Sequence, residues 1–212
     1  DCLLSRGLGD VYKRQIYMRT LRFLSLLCGI LFACMGLAGE IDGMRFTHIG
    51  LEEGLSHSTI FGINQDKEGN LWFATYDGFN KYDGYNFTVY RHQYKNPKSI
   101  ASDITRCVVI DNDNRIWIGT REGLSLYNHR KNEFSNFFYK RKGQNVTVRN
   151  IVPMQKDWLM LGTTEGILLF DVKGERFLND TLSATLHSLK PLTLLRQDDD
   201  IFIGTKGKVY MY

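Results

Sequence analysis

The chain has 212 residues, 43% of them hydrophobic and 13% aromatic, with a formal charge of +4 at pH 7. Most of that excess belongs to the first 38 residues; without their five Lys/Arg and two Asp/Glu, 22 basic side chains face 21 acidic ones and the balance is +1. A nucleic-acid-binding role, which needs a basic stripe, is not expected, because the one run that approaches a stripe, YKRK at 139–142, reads as a solvated hairpin.

In chain order, residues 1–17 (DCLLSRGLGDVYKRQIY) lack an initiator Met and any periodicity, and read as a translated adapter remnant rather than native protein. Residues 18–38 read as a signal peptide. Arg19 and Arg22 form a positive n-region, Phe23–Phe32 an apolar h-region, and Gly36-Leu37-Ala38 a small-x-small cleavage site. The apolar run is shorter than the roughly 20 residues that a membrane span needs. A lipoprotein alternative would acylate Cys34, a site that Phe32 suits poorly. Export to the periplasm is the expectation. Cleavage would leave Cys107 as the one cysteine of four, so no disulfide framework is expected. In the apolar stretch ITRCVVID it reads as a small buried hydrophobe, with no activating partner near in sequence.

Met44–Ile49 reads as a lone strand, and then a motif recurs four times: LWFATYDGFNKYD (71–83), IWIGTREGLSLYN (116–128), LMLGTTEGILLFD (159–171) and IFIGTKGKVYMY (201–212). The pairs Ala74-Thr75, Gly119-Thr120, Gly162-Thr163 and Gly204-Thr205 follow one another at steps of 45, 43 and 42 residues. A period in the low forties with β-rich repeats is the signature of a propeller blade. Each copy opens on an unbroken apolar run of four, which suits a strand buried on both faces and is too short for a buried helix. The small residue before each Thr fits close backbone approach between blades. Gly78, Gly123 and Gly166 supply the positive φ of a tight connection to a further strand. Upstream, DKEGN (66–70) and DNDNR (111–115) form matching turns, with Gly69 or Asn114 at the left-handed position. A segment such as FTVYRH (87–92) supplies the fourth strand. The predicted fold is all-β, an N-terminal fragment of about four four-stranded blades from a larger β-propeller spanning 39–212. Open blade edges predict that this segment on its own is poorly behaved.

These repeats resemble the two-component regulator propeller family, whose blades carry an "iWiGT…GL..Y" core after a "D..G" turn; IDNDNRIWIGTREGLSLY (110–127) matches that core, and 46–90 is typical of the family's first blade. The third repeat departs from it with Leu-Met for Ile-Trp, and the fourth lacks one residue around Gly207. The resemblance implies the periplasmic sensor half of a hybrid histidine-kinase receptor anchored in the inner membrane, of a kind that in gut Bacteroidetes senses glycans. The expected partners are an oligosaccharide ligand, further blades and C-terminal signalling domains of the same chain, and a second copy in a homodimer.

No nucleophile elbow, Walker loop, GxGxxG, HExxH or paired CxxC occurs, so no catalytic residue or cofactor is assigned and the segment is not expected to be an enzyme. The five His are scattered without ligand spacing, and DNDNR, which begins like a calcium loop, has Arg115 where a third oxygen ligand belongs, so no metal site is assigned. Ligand binding is expected on the loops joining second and third strands and on those between blades, where residues vary while the scaffold repeats. The candidates are His57, Tyr76, Asp77, Asp103, Arg121, Glu122, Asn150, Thr164 and Lys206. Tyr76 offers a ring face to a sugar, and Arg121 a guanidinium to a carboxylate or sulfate. The competing readings are an exported propeller enzyme (polysaccharide lyase or glycosidase) and an interaction scaffold.

Overall fold

The apolar run that opens each repeat is the second strand of a blade, buried on both faces in the first three repeats, as its unbroken pattern requires. The computed structural model describes residues 46–154, 157–178, 186 and 188–212. The proposed leader and signal peptide (1–38) therefore lie outside the described residues. Residues 49–212 form one unit, and the described part of the unit preceding it, 46–48, has no regular secondary structure. The lone strand expected at Met44–Ile49 is thus not found over 46–49, and its first two residues lie outside the described set.

The first blade is β1 (Ile60–Gln65), β2 (Leu71–Thr75), β3 (Phe79–Tyr82) and β4 (Phe87–Tyr90). The second is β5 (Thr105–Ile110), β6 (Ile116–Thr120), β7 (Gly123–Asn128) and β8 (Glu133–Phe137). A two-stranded hairpin, β9 (Lys140–Arg141) and β10 (Gln144–Asn145), precedes the third blade, which is β11 (Val148–Pro153), β12 (Trp158–Thr163), β13 (Gly166–Asp171) and β14 (Arg176–Leu178). The fourth repeat forms β15 (Thr193–Gln197), β16 (Asp200–Thr205) and β17 (Lys208–Met211). Each sheet is an antiparallel meander in chain order, the propeller-blade topology that the repeats predict. The YKRK run lies at the β9–β10 hairpin, with Lys140 and Arg141 exposed, as expected.

Among the described residues, three apolar clusters lie between successive blades. Trp72, Phe79, Val108, Ile116, Ile118 and Phe134 fill the first; Trp117, Ile151, Leu159, Leu161 and Phe170 the second; Met160, Ile167, Leu169, Ile201 and Ile203 the third. The first strands of neighbouring blades meet along one edge, β1 beside β5, β5 beside β11, and β11 beside β15.

Each residue of the repeated motif has a physical task. Thr75, Thr120, Thr163 and Thr205 donate a hydroxyl hydrogen bond to the carbonyl three residues on, at 2.7–3.0 Å, which pins the turn into the next strand. In the first three repeats the same hydroxyl accepts the backbone N–H two residues on, at 3.2 Å. Gly78, Gly123 and Gly166 take φ of 105°, 147° and 133° in those turns, and Gly69 and Asn114 take the left-handed position of the upstream turns at 89° and 62°. Asp66 accepts Trp72 Nε1–H at 2.7 Å, and Asp111 accepts Trp117 Nε1–H at 2.9 Å, so the turn aspartate satisfies the buried indole. The third repeat has lost both partners together, with Met154 in the turn and Met160 in the strand.

The small residue before Thr is explained by its cross-strand neighbour. A Cβ at Gly119 would stand 2.5 Å from Cys107 Sγ and 2.8 Å from the Val148 carbonyl of the next blade. Gly162 faces Asn150 and Gly204 faces Thr193 in the same way. Ala74 keeps its methyl because the residue opposite is Gly62. Cys107 is half-buried rather than fully enclosed, and desolvation pushes its thiol up to about 12, so it stays protonated at neutral pH.

Candidate functional site

The turns that the threonines pin, together with the hairpin β9–β10, build a strongly polar recess. A cavity of about 580 Å³ is lined by Arg121 and Glu122 from the β6–β7 turn, Thr164 and Glu165 from the β12–β13 turn, and Arg141 and Asn145 of the hairpin, among others. The backbone holds these turns in place: Arg121 N–H donates to Ile104 O, and Thr164 N–H to Thr147 O. Thr147 Oγ1 then donates to the Arg121 carbonyl at 2.9 Å. The hairpin reaches across, with Arg141 Nη1 donating to Glu165 O at 2.9 Å and Asn145 Nδ2 to Glu122 Oε2 at 3.0 Å. Among the described residues, the side chains of Arg121 and Lys140 have no ion-pair or hydrogen-bond partner, and Asn145 Oδ1 is buried without a donor. Free cations beside an unfilled acceptor suit a polar ligand that brings both hydroxyls and negative charge.

The structure thus brings Arg121, Glu122 and Thr164 to one cavity. His57, Tyr76, Asp77 and Asp103 lie together at the β2–β3 turn instead. The His57 and Tyr76 rings are 5.5 Å apart, and His57 Nδ1 accepts the Thr59 N–H. Asp77 is held in an ion pair with Arg91 at 2.9 Å, whose hydrogen bond lowers the Asp77 pKa below its usual value. Asp103 straps the connection between blades, its carbonyl accepting Gly78 N–H at 2.7 Å and its carboxylate the His92 N–H at 2.6 Å. Asn150 was expected in a loop but belongs to β11, where its Oδ1 is buried against Gly162 without a partner. Lys206 stands apart on the β16–β17 turn. Arg141 and Asn145 were missed as lining residues because a short basic run signals exposure, not the fold of a hairpin over its neighbours.

A second cavity, about 530 Å³, lies where the β5–β6 turn meets blade three. It holds an ion network in which Arg115 contacts Asp111 at 2.6 Å, Asp113 at 3.1 Å and Asp157 at 3.5 Å, with Lys173 on Asp157 at 2.9 Å. These carboxylates already have cationic partners, which makes the network a cross-blade clasp. Among the described residues no group of His, Cys, Asp and Glu is arranged to hold a metal ion.

Comparison with known proteins agrees with this architecture. The model of the two component regulator propeller matches residues 54–77 and 99–122. The solved extracellular domain of the hybrid two component system BT3049 from B. thetaiotaomicron superposes with a TM-score of 0.66 at 30% identity, over 78% of this chain and 24% of that one. The corresponding domain of BT4673 from the same organism gives a TM-score of 0.62 at 17% identity, over 73% of this chain and 20% of that one, a likeness of fold alone. Histidine kinase P4 of Formosa agariphila is 34% identical over 83 residues, 38% of this chain and 6% of the kinase. The chain therefore spans about a quarter of the solved sensor domain and a small part of the kinase. Residues 54–77 and 99–122 thus match two-component regulator propeller repeats, within an all-β propeller architecture.

Proposed function

We propose that this propeller is the ligand-sensing segment of an exported two-component sensor and that it detects glycan-derived ligands. The observation that carries the reading is the cavity of about 580 Å³ between the β6–β7 and β12–β13 turns, lined by the variable turn residues of a repeating scaffold. Its size suits a short oligosaccharide. The likeness to extracellular domains of hybrid two component systems supports export, and the match to a histidine kinase supports a signalling output through other domains of the parent protein, anchored in the inner membrane. The expected partners are an oligosaccharide and a second copy of the receptor.

The test is calorimetric titration of the full-length protein with a panel of defined malto-, cello-, xylo- and galacturono-oligosaccharides. At least one should bind, with affinity falling tenfold or more in Arg121→Ala and Glu122→Ala. Failure of every saccharide to bind would overturn the reading.

A further inference from the structure

The first strands of three blades share an irregularity that the repeat pattern conceals. In β1, Ile60 pairs with Thr75 and Gly62 with Ala74, leaving Phe61 without a cross-strand partner. In β5, Thr105 pairs with Thr120 and Cys107 with Gly119, leaving Arg106. In β11, Val148 pairs with Thr163 and Asn150 with Gly162, leaving Arg149. A one-residue bulge at the same place in successive blades is a device for re-aiming a side chain. Because the first strands of neighbouring blades lie side by side, these bulges put Phe61, Arg106 and Arg149 at matching positions on adjacent strands. The scaffold repeats there while the side chains it presents do not.

Their chemistry is unusual for a structural edge. The Arg106 guanidinium lies over the Phe61 ring at 4.5 Å, and Phe61 is 6.5 Å from Tyr76, whose ring is half exposed and flanked by His57. Arg106 Nε is buried with no hydrogen-bond partner, and neither Arg106 nor Arg149 has an ion pair among the described residues. A guanidinium stays charged at any accessible pH, and a partly desolvated charge without a counterion is costly. Stacking on Phe61 fixes its plane yet supplies no acceptor. An anion in the plane of the guanidinium would supply the acceptor that Nε lacks, and the exposed aromatic faces beside it suit the apolar face of a sugar ring.

We propose that Phe61, Tyr76, Arg106 and Arg149 form a subsite for an acidic saccharide, a sugar unit carrying a carboxylate, with Arg106 and Arg149 taking the carboxylate and Tyr76 and Phe61 the ring. The proposal rests on the glycan-sensing reading and narrows it to a ligand class at a second place on the propeller.

The test titrates the full-length protein with trigalacturonate and with maltotriose as the neutral control, in wild type and in Arg106→Met and Arg106→Lys. Wild type should prefer trigalacturonate at least tenfold. Arg106→Met keeps an apolar stem on Phe61 and removes the uncompensated charge, so it should melt at the wild-type temperature or above while losing tenfold or more in affinity for trigalacturonate. Arg106→Lys, without the planar fork, should fall between. A lower melting temperature for Arg106→Met with unchanged affinity would mark a structural arginine and overturn the proposal. Equal binding of the two saccharides, unaltered by Arg106→Met, would overturn it while leaving saccharide sensing intact. Binding of neither, with no neutral oligosaccharide active in the wider panel, would remove the sensing reading as well.

Discussion

At the cross-strand pair inside each blade, one of the two residues carries a side chain and the other gives way: Gly62 with Ala74, Cys107 with Gly119, Asn150 with Gly162. Gly119→Ala should therefore destabilise by about 1–3 kcal/mol in chemical denaturation, since the new methyl meets both a sulfur and a backbone carbonyl. Adding Cys107→Gly recreates the first blade's arrangement and should recover part of the loss, the contact with the Val148 carbonyl remaining. The turn aspartate makes a second test. Burial of Asp66 acts to raise its pKa, but hydrogen bonds from Trp72 and Asn70 outweigh it and hold the carboxyl below its ordinary value. A depressed folded pKa contributes stability above the unfolded value of 3.8 that is lost as pH falls through the folded one. Asp66→Asn should cost about 1–3 kcal/mol at pH 7 and flatten the decline in stability below pH 4, read as denaturant midpoints across pH.

At the scale of elements, the hairpin β9–β10 stands outside every blade sheet and is tied down at its ends. Its links run from Arg141 to Glu165 and from Asn145 to Glu122; the Arg141–Glu165 ion pair is 3.5 Å long with both side chains over 40% exposed. Such a pair is worth at most about 1 kcal/mol. Arg141→Ala should thus leave the denaturant midpoint nearly unchanged while speeding amide exchange across 140–145 and weakening saccharide binding severalfold. The strands themselves were legible because the Gly-Thr pair, the glycine turn and the unbroken apolar run each have a local cause visible in residue type. The bulges were not. An extra residue in β1, β5 or β11 leaves no trace in the apolar pattern of the neighbouring strand, so Phe61 and Arg106 draw no reading of their own from the sequence and Asn150 reads as part of a loop. Over the described part of the strand expected at Met44–Ile49, residues 46–49, no regular structure forms.

At the scale of the molecule, each blade is held mainly by its neighbours, so the effect of a lesion should depend on which inter-blade cluster it strikes. Phe170 is fully buried in the cluster between the second and third blades, edge-on to Trp117 at 5.8 Å and against Phe137 at 4.8 Å. Phe170→Ala should cost about 3–5 kcal/mol. In hydrogen exchange its loss should appear first in β6, β7, β12 and β13, the strands lining that cluster. Trp72 anchors the cluster between the first and second blades, tied to Asp66 and stacked on Phe79 at 5.2 Å. Trp72→Ala should instead release β2 and β3 before β12 and β13. If the blades melt as one rigid block, both variants will lower protection evenly throughout, and the nearest-neighbour account fails. If the two protection maps differ, a ligand bridging two blades would stabilise chiefly the cluster beneath it, and comparing maps with and without saccharide would show whether the cavity or the set of bulges is the site occupied.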